Sequence, residues 1–142
     1  MTTTFVRGIG GWRRLSSWTR PLQRGTPLDI HPEVKDALTH HRPVVALETA
    51  VVTHGLPFPT NFTVQLALED IVRSTGSVPA TIGIIQGRAK IGLQKRELER
   101  LAETKTSVKV SRRDIAAAIA TESDGGTYNQ PIRFNVIFST RT

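Results

Sequence analysis

Cysteine is absent from the 142-residue sequence, which rules out disulfides, thiolate nucleophiles and thiolate metal sites. Histidine is scarce. His31, His40, His41 and His54 are the only four, and none stands in an HExxH-type spacing, so a zinc site made by this chain alone is not expected. No apolar run approaches the roughly 18 residues that span a bilayer, and no membrane partner is expected. GxGxxG, P-loop and GxSxG patterns are also missing. Dinucleotide, nucleoside-triphosphate and serine-hydrolase chemistry therefore have no motif support.

Positive charge is plentiful, at a formal +7, but it is unevenly placed. Residues 1–28 hold five Arg (7, 13, 14, 20 and 24) and no acid, whereas residues 29–142 hold fourteen Lys or Arg against twelve Asp or Glu. The body is close to neutral, so no nucleic-acid partner is expected; any binding lost in a protein starting at Asp29 would belong to the leader. That leader is rich in Ser and Thr, and Phe5, Val6, Ile9, Trp12, Leu15 and Trp18 recur at three- or four-residue intervals. Arg-rich, acid-free and amphipathic is the composition of a mitochondrial transit peptide, although Gly8, Gly10 and Gly11 weaken its helix. A mitochondrial location is expected, with the cytoplasm as the alternative. Pro21, Gly25 and Pro27 suit a linker, and the folded part is expected from about Asp29.

Pro32 fits a first helical position, and Val34, Ala37 and Leu38 give an apolar stripe that Arg42-Pro43 closes. Val44 to Thr49 reads as a strand buried on both faces. His54-Gly55-Leu56-Pro57-Phe58-Pro59 reads as a loop, with Thr60 or Asn61 capping a helix that carries Val64, Ala67, Leu68, Ile71 and Val72 on one face and ends near Gly76. Pro79 to Ile85 reads as a second buried strand with Gln86-Gly87-Arg88 as its turn. Residues 94–103 form a charged helix, Ser107 to Val110 a third strand, and Ser111-x-x-Asp114 a capping box before the Ala-rich helix Ile115 to Ala120. This order predicts an α/β fold, layered α/β/α with a largely parallel sheet, incomplete at the C-terminus.

Within that plan Glu48 is the conspicuous residue, one carboxylate at the carboxyl end of an apolar strand. Ligands of open α/β sheets sit outside those ends, so Glu48 is a candidate acid or base. The structural alternative is a carboxylate that pairs with an Arg or caps a turn. Lys109 ends the third strand just before Arg112 and Arg113, three cations suited to phosphate or another anion. Solvated arginines and a paired lysine are the alternative. An acid and a base at successive strand ends would face one crevice. His54 is a candidate for proton transfer or hydroxyl binding, and Arg88 with Lys90 could add to an anion site.

Taken together, Val44-Val45-Ala46-Leu47-Glu48-Thr49, His54-Gly55-Leu56-Pro57-Phe58-Pro59, Pro79-Ala80-Thr81-Ile82-Gly83-Ile84-Ile85 and Lys109-Val110-Ser111-Arg112-Arg113-Asp114 resemble the opening part of the pseudouridine-5′-phosphate glycosidase family, also called the indigoidine synthase A family. The resemblance covers about residues 30–127. It implies reversible cleavage of the C–C glycosidic bond of pseudouridine 5′-phosphate to uracil and ribose 5-phosphate, with Mn2+ as cofactor and a homotrimer as the assembly. It also implies Glu48 as the proton donor and Lys109 as a sugar-phosphate ligand, with Arg112, Arg113 and His54 as further substrate-binding candidates. The family's metal-binding Asp and its Schiff-base lysine lie beyond the Lys109 to Asp114 motif, so no metal ligand is expected in this chain.

The resemblance stops inside Gly125-Gly126-Thr127. Three segments are therefore expected: a basic leader (1–28), the N-terminal part of a glycosidase domain (29–127), and a divergent tail (128–142) of intron or frameshift origin. In a natural short isoform the alternating Ile132, Phe134 and Val136 would instead form an edge strand. Residues 29–127 would then hold a proton donor and a phosphate contact, but neither nucleophile nor metal ligand. No turnover is expected from the chain alone, and a noncatalytic sugar-phosphate-binding fragment is the competing reading.

Overall fold

The structure, a computed structural model, describes residues 25–127. Nearly all of the basic leader and the whole of the divergent tail lie outside the described residues. Strand β1 (Leu28–Ile30) and helix α1 (Pro32–Thr39) lead to β2 (Val44–Leu47), and a π-helical turn over Val51–Gly55 leads to α2 (Thr60–Ser74). There follow β3 (Val78–Ile85), β4 (Arg88–Ile91), α3 (Lys95–Glu103), β5 (Val108–Val110), α4 (Ile115–Ala120) and β6 (Gly125–Thr127). The sheet runs β1-β4-β3-β6-β5, with β2 also paired to β3.

The layered α/β arrangement follows the expectation, while the sheet itself is mixed. Strand pairs β1–β4, β2–β3 and β5–β6 are parallel, whereas β3–β4 and β3–β6 are antiparallel. The reason lies in the turn after β3. Gln86 and Gly87 both take left-handed backbone angles (φ 49° and 68°), as a two-residue hairpin turn demands, so the chain folds back at once instead of crossing over through a helix. A Cβ on Gly87 would lie 2.7 Å from the Ile119 carbonyl oxygen and 2.8 Å from Glu122 Cα. The hairpin tip is thus seated on the end of α4.

Alternation along β3 divides the core between two faces. Val78 and Ala80 pack with Ile91 of β4 against Val34 and Ala37 of α1, and Ile84 packs with Val110 against Ala118 of α4. Ile85 points the other way, into Val52, Leu93, Leu98, Leu101 and Ala102, flanked by Phe62 and Leu66 of α2. Among the described residues no helix is long and apolar enough to cross a membrane.

Three local expectations are corrected. Asn61 does not cap α2; it is buried, and its amide donates to the Val52 carbonyl (2.6 Å) and the Ala102 carbonyl (2.9 Å), tying the π-helical turn to α3. Strand β2 is not buried on both faces, since Val45 and Ala46 are exposed on the only strand pairing that β2 makes among the described residues. Arg88 and Lys90 do not form an anion site. Both lie in β4, where Arg88 clasps the Asp29 carboxylate at 2.6 and 2.8 Å, and Lys90 bridges Asp29 and Glu97 at 3.0 Å each. The alternating charge and apolarity of Arg88-Ala89-Lys90-Ile91 is a half-buried strand.

That ion network fixes β1 to the sheet and carries a pH signature. The hydrogen bonds from Arg88, above all, and then Lys90 hold the Asp29 carboxyl well below the usual carboxylate range, against the pull of desolvation. A carboxylate with a depressed folded pKa stabilises the fold above its unfolded value of about 4, and the stabilisation is lost as pH falls through the folded value. Asp29→Asn should therefore lower the urea midpoint at pH 7, and the gap from the parent should close as pH is lowered from about 4 towards 2. A gap independent of pH over that window would show that the clasp contributes no charge-dependent stability.

Candidate functional site

Strands β2 and β6 approach β3 from opposite directions along one edge and meet end to end. Leu47 of β2 pairs with Thr81, and Gly126 of β6 pairs with Gly83, so the residues that follow, Glu48 and Thr127, converge on Ile82. The junction is stitched reciprocally. Thr49 N–H donates to Thr127 Oγ1 (3.2 Å) and Thr127 N–H donates to Thr49 Oγ1 (3.0 Å). Both hydroxyls then donate to the Ile82 carbonyl, at 2.7 and 3.1 Å. Thr49 is 0% and Thr127 5% exposed. Glu48 is the last residue before this lock, and it is exposed rather than sunk in apolar surroundings.

The same lock reaches Lys109. In β5, Lys109 is in register with Gly126, the residue just before Thr127. Glu48 and Lys109 are thereby joined by a short backbone path, from Thr49 across to Thr127 and from Gly126 across to Lys109. Because β2 and β6 lie end to end beside β3, only the step from β6 to β5 crosses a strand spacing, about 4.8 Å. Strand β2 is parallel to β3 whereas β6, and with it β5, is antiparallel, so the carboxyl ends of β2 and β5 point towards one another and converge at the level of Ile82, midway along β3, rather than at a common end of the sheet.

The π-helical turn closes over the junction. Thr53 Oγ1 donates to the Thr49 carbonyl (3.2 Å), and His54 Nδ1 lies 2.7 Å from the same hydroxyl. A Cβ on Gly126 would stand 2.2 Å from Thr53 Oγ1 and 2.9 Å from the Thr49 carbonyl oxygen, so only glycine lets this turn sit on β6. His54 is exposed, as are Arg112 and Arg113 in the turn before α4.

The capping box is rearranged. Asp114, not Ser111, immediately precedes α4, and its carboxylate accepts from the Ser111 hydroxyl (2.5 Å) and the Ser111 N–H (2.9 Å). Those two bonds, hydroxyl first, hold the Asp114 carboxyl below the usual range, with Arg113 adding its charge. A serine hydroxyl donating to a carboxylate makes a charge-assisted bond stronger than the neutral cap it forgoes.

An apolar hollow on the sheet is lined by Ile82, Ile84, Ala89, Val110, Ile115 and Thr127, and none of Glu48, His54, Lys109, Arg112 or Arg113 lines it. Among the described residues no three His, Asp or Glu side chains gather where they could hold a metal ion. The donor set that Mn2+ needs is thus not met within residues 25–127, and no chemical step below passes through a metal.

Sequence reading missed Thr49, Thr53, Gly126 and Thr127. The signal was the Gly125-Gly126 pair before a threonine, which marks a close backbone approach.

Known proteins share sequence and fold with this chain. The family profile described as indigoidine synthase A like protein matches residues 33–129. Pseudouridine-5′-phosphate glycosidase of Symbiobacterium thermophilum is 50% identical over 100 residues, covering 70% of this chain and 32% of the relative. The enzyme of the same name from Hahella chejuensis is 52% identical over 101 residues, covering 70% and 33%. Among solved structures, the prealnumycin C-glycosynthase AlnA, in complex with ribulose 5-phosphate, superposes with a TM-score of 0.62 at 42% identity, over 72% of this chain and 32% of AlnA. An indigoidine synthase A-like protein from Thermotoga maritima gives a TM-score of 0.61 at 28% identity, over 72% and 32%. The chain thus spans about a third of the length of these relatives. With two thirds of its own length matched to the family profile, and with β2, β3, β5 and β6 assembled around the quoted motifs, this chain belongs to the indigoidine synthase A-like (pseudouridine-5′-phosphate glycosidase) family.

Proposed function

We propose that residues 25–127 carry the proton-donating and sugar-phosphate-binding corner of a pseudouridine-5′-phosphate glycosidase site. The reaction is reversible cleavage of the C–C glycosidic bond to uracil and ribose 5-phosphate. The observation that supports this reading is the Thr49–Thr127 junction, towards which the carboxyl ends of β2, followed by Glu48, and of β5, with Lys109, both run. A C–C glycosidic bond has no leaving oxygen to protonate, so the proton must go to the carbon of the departing base. Glu48 supplies that proton, and an exposed side chain after a strand end can reach a bound nucleotide. Lys109 supplies a cation for the phosphate, with Arg112 and Arg113 nearby in sequence. AlnA, the C-glycosynthase with ribulose 5-phosphate bound, supports a pentose phosphate as ligand.

Binding of a sugar phosphate without turnover is the second reading. Either way Lys109 contacts the sugar phosphate. Titrating the 142-residue chain with ribose 5-phosphate should therefore give saturable binding by calorimetry, and Lys109→Ala should weaken it by about 10- to 100-fold, the equivalent of one charge-assisted contact. An unchanged dissociation constant in Lys109→Ala would remove the lysine from the site. Incubation with pseudouridine 5′-phosphate then separates the two readings, since only the first yields free uracil in an assembly that completes the site. A mitochondrial location and a manganese requirement belong to the same proposal and rest on the leader composition and on the family resemblance.

A further inference from the structure

Three strands border the sheet among the described residues, β1, β5 and β2. Strand β1 carries Asp29 and β5 carries Lys109, and a charge on a border strand discourages further pairing. Strand β2, Val44-Val45-Ala46-Leu47, carries none. Its inner side is taken by β3, since Val78 N–H donates to the Pro43 carbonyl and the parallel register continues to Leu47. By alternation the N–H and C=O groups of Val44 and Ala46 then point to the open side. Val45 and Ala46 are exposed, so this border is apolar as well as open. From the border and the course of the chain beside it, we infer that residues 132–138 pair with β2 as an antiparallel strand, with Phe134 opposite Val45.

Direction and reach select this segment. Strand β6 ends at Thr127, bonded to Thr49 just beyond β2, and it runs antiparallel to β3 and hence to β2. A chain that continues this way meets the end of β2 and must step aside. Strand β5 fills the outer lane beside β6, and the same lane beside β2 is open, one strand spacing of about 4.8 Å away. Residues 128–131 reach up to about 13 Å, enough for that step. The sequence of the segment, which lies outside the described residues, supplies the pattern. Ile132, Phe134, Val136 and Phe138 alternate with Arg133, Asn135, Ile137 and Ser139, giving one wholly apolar face and one mainly polar one. The apolar face has a counterpart on β2. Val44 packs with Val78 and Ala80 on the α1 side, so Val45 projects to the α2 side, where Thr81, in register with Leu47, meets Gln65 and Glu69. On that side Val45 is 38% exposed, and Leu68, on the flank of α2 away from Phe62 and Leu66, is 39% exposed. Burial of such surface favours an apolar strand face over water.

The chain has no cysteine, so a pair of introduced thiols reads the docking directly. In the 142-residue chain, Val45→Cys with Phe134→Cys should close a disulfide within one molecule under mild oxidation. Val45→Cys with Asn135→Cys puts the second thiol on the other face and should close about tenfold more slowly. Equal rates for the two pairs, or closure in neither, overturn the inference. Disulfide-linked dimers of Val45→Cys, formed in preference to internal closure, also overturn it and put a second copy on this border. Amide exchange gives a second readout. The Val44 and Ala46 N–H groups should be protected in the parent and exchange about tenfold faster in Phe134→Asp, while Val78, held by Pro43, keeps its rate. Unchanged exchange at Val44 and Ala46, or an increase that Val78 shares equally, overturns the pairing.

Discussion

Gly126→Ala should be among the most damaging single substitutions in residues 25–127, costing about 3 kcal/mol or more. The added methyl would stand 2.2 Å from Thr53 Oγ1, 2.6 Å from Thr53 Cγ2 and 2.9 Å from the Thr49 carbonyl oxygen. Thr53 cannot swing away freely, because its hydroxyl is bonded to the Thr49 carbonyl and its neighbour Val52 is buried in the core formed with Leu98 and Leu101. Relief must come from β6 moving away from the π-helical turn. Such a shift would pull Gly126 from its register with Gly83 and Lys109, and Thr127 from its bonds to Thr49. A domain is stable by only ~5–15 kcal/mol, so the loss should move the urea midpoint by more than 1 M. Gly25→Ala is the control, since nothing lies within 4 Å of its added Cβ. If both alanine variants unfold at the parent's midpoint, the turn is not seated on β6.

How far the sequence discloses this arrangement depends on the length of each signal. Helices α1, α2 and α3 announce themselves by apolar spacing over eight or more residues, and β3 by eight nearly uninterrupted apolar positions. Strands β1, β4 and β6 are three or four residues long, too short for a period of two to stand out. Their existence depends on partners far along the chain. Gly125-Gly126-Thr127 has no strand propensity of its own and becomes a strand because β3 and β5 offer free edges to it. The mixed character of the sheet followed from the same gap, for a hairpin that is read only as a turn hides the antiparallel strand after it.

Of the candidate site, Glu48 and Lys109 were legible in the sequence and the threonines between them were not. Glu48 stood out as a lone acid beside β-branched residues, and Lys109 as a cation before a cap-like serine. Arg88 and Lys90 carry the same kind of charge in sequence, yet Asp29 and Glu97 neutralise them in the fold. Proximity of partners 59 residues apart is not written in local spacing. The threonines were overlooked for a related reason. A buried Thr is an ordinary strand residue until its hydroxyl is seen to answer a specific N–H.

Thr49→Val tests that last point with little change of shape. Valine keeps the branched volume of a side chain that is 0% exposed, but it removes the donor to the Ile82 carbonyl and the acceptor for the Thr127 N–H. The Ile82 carbonyl keeps its bond from Thr127 Oγ1, so the orphaned group is the Thr127 N–H. A buried donor left unsatisfied costs ~1–3 kcal/mol and the lost second bond about 1 kcal/mol more, giving a destabilisation of about 2–4 kcal/mol. Thr49→Ser makes the opposite change, keeping the hydroxyl and deleting a methyl, at a cost of about 1 kcal/mol. Denaturant unfolding should therefore rank the parent above Thr49→Ser and Thr49→Val last. The reverse order of the two variants would mean that the methyl, not the hydroxyl, secures the junction. The ranking should extend to function, because the bonds that valine removes are those that hold β6, and through it Lys109, against the residue after Glu48. Under conditions where it is still folded, Thr49→Val should bind ribose 5-phosphate more weakly than Thr49→Ser, which retains the register of both strand ends.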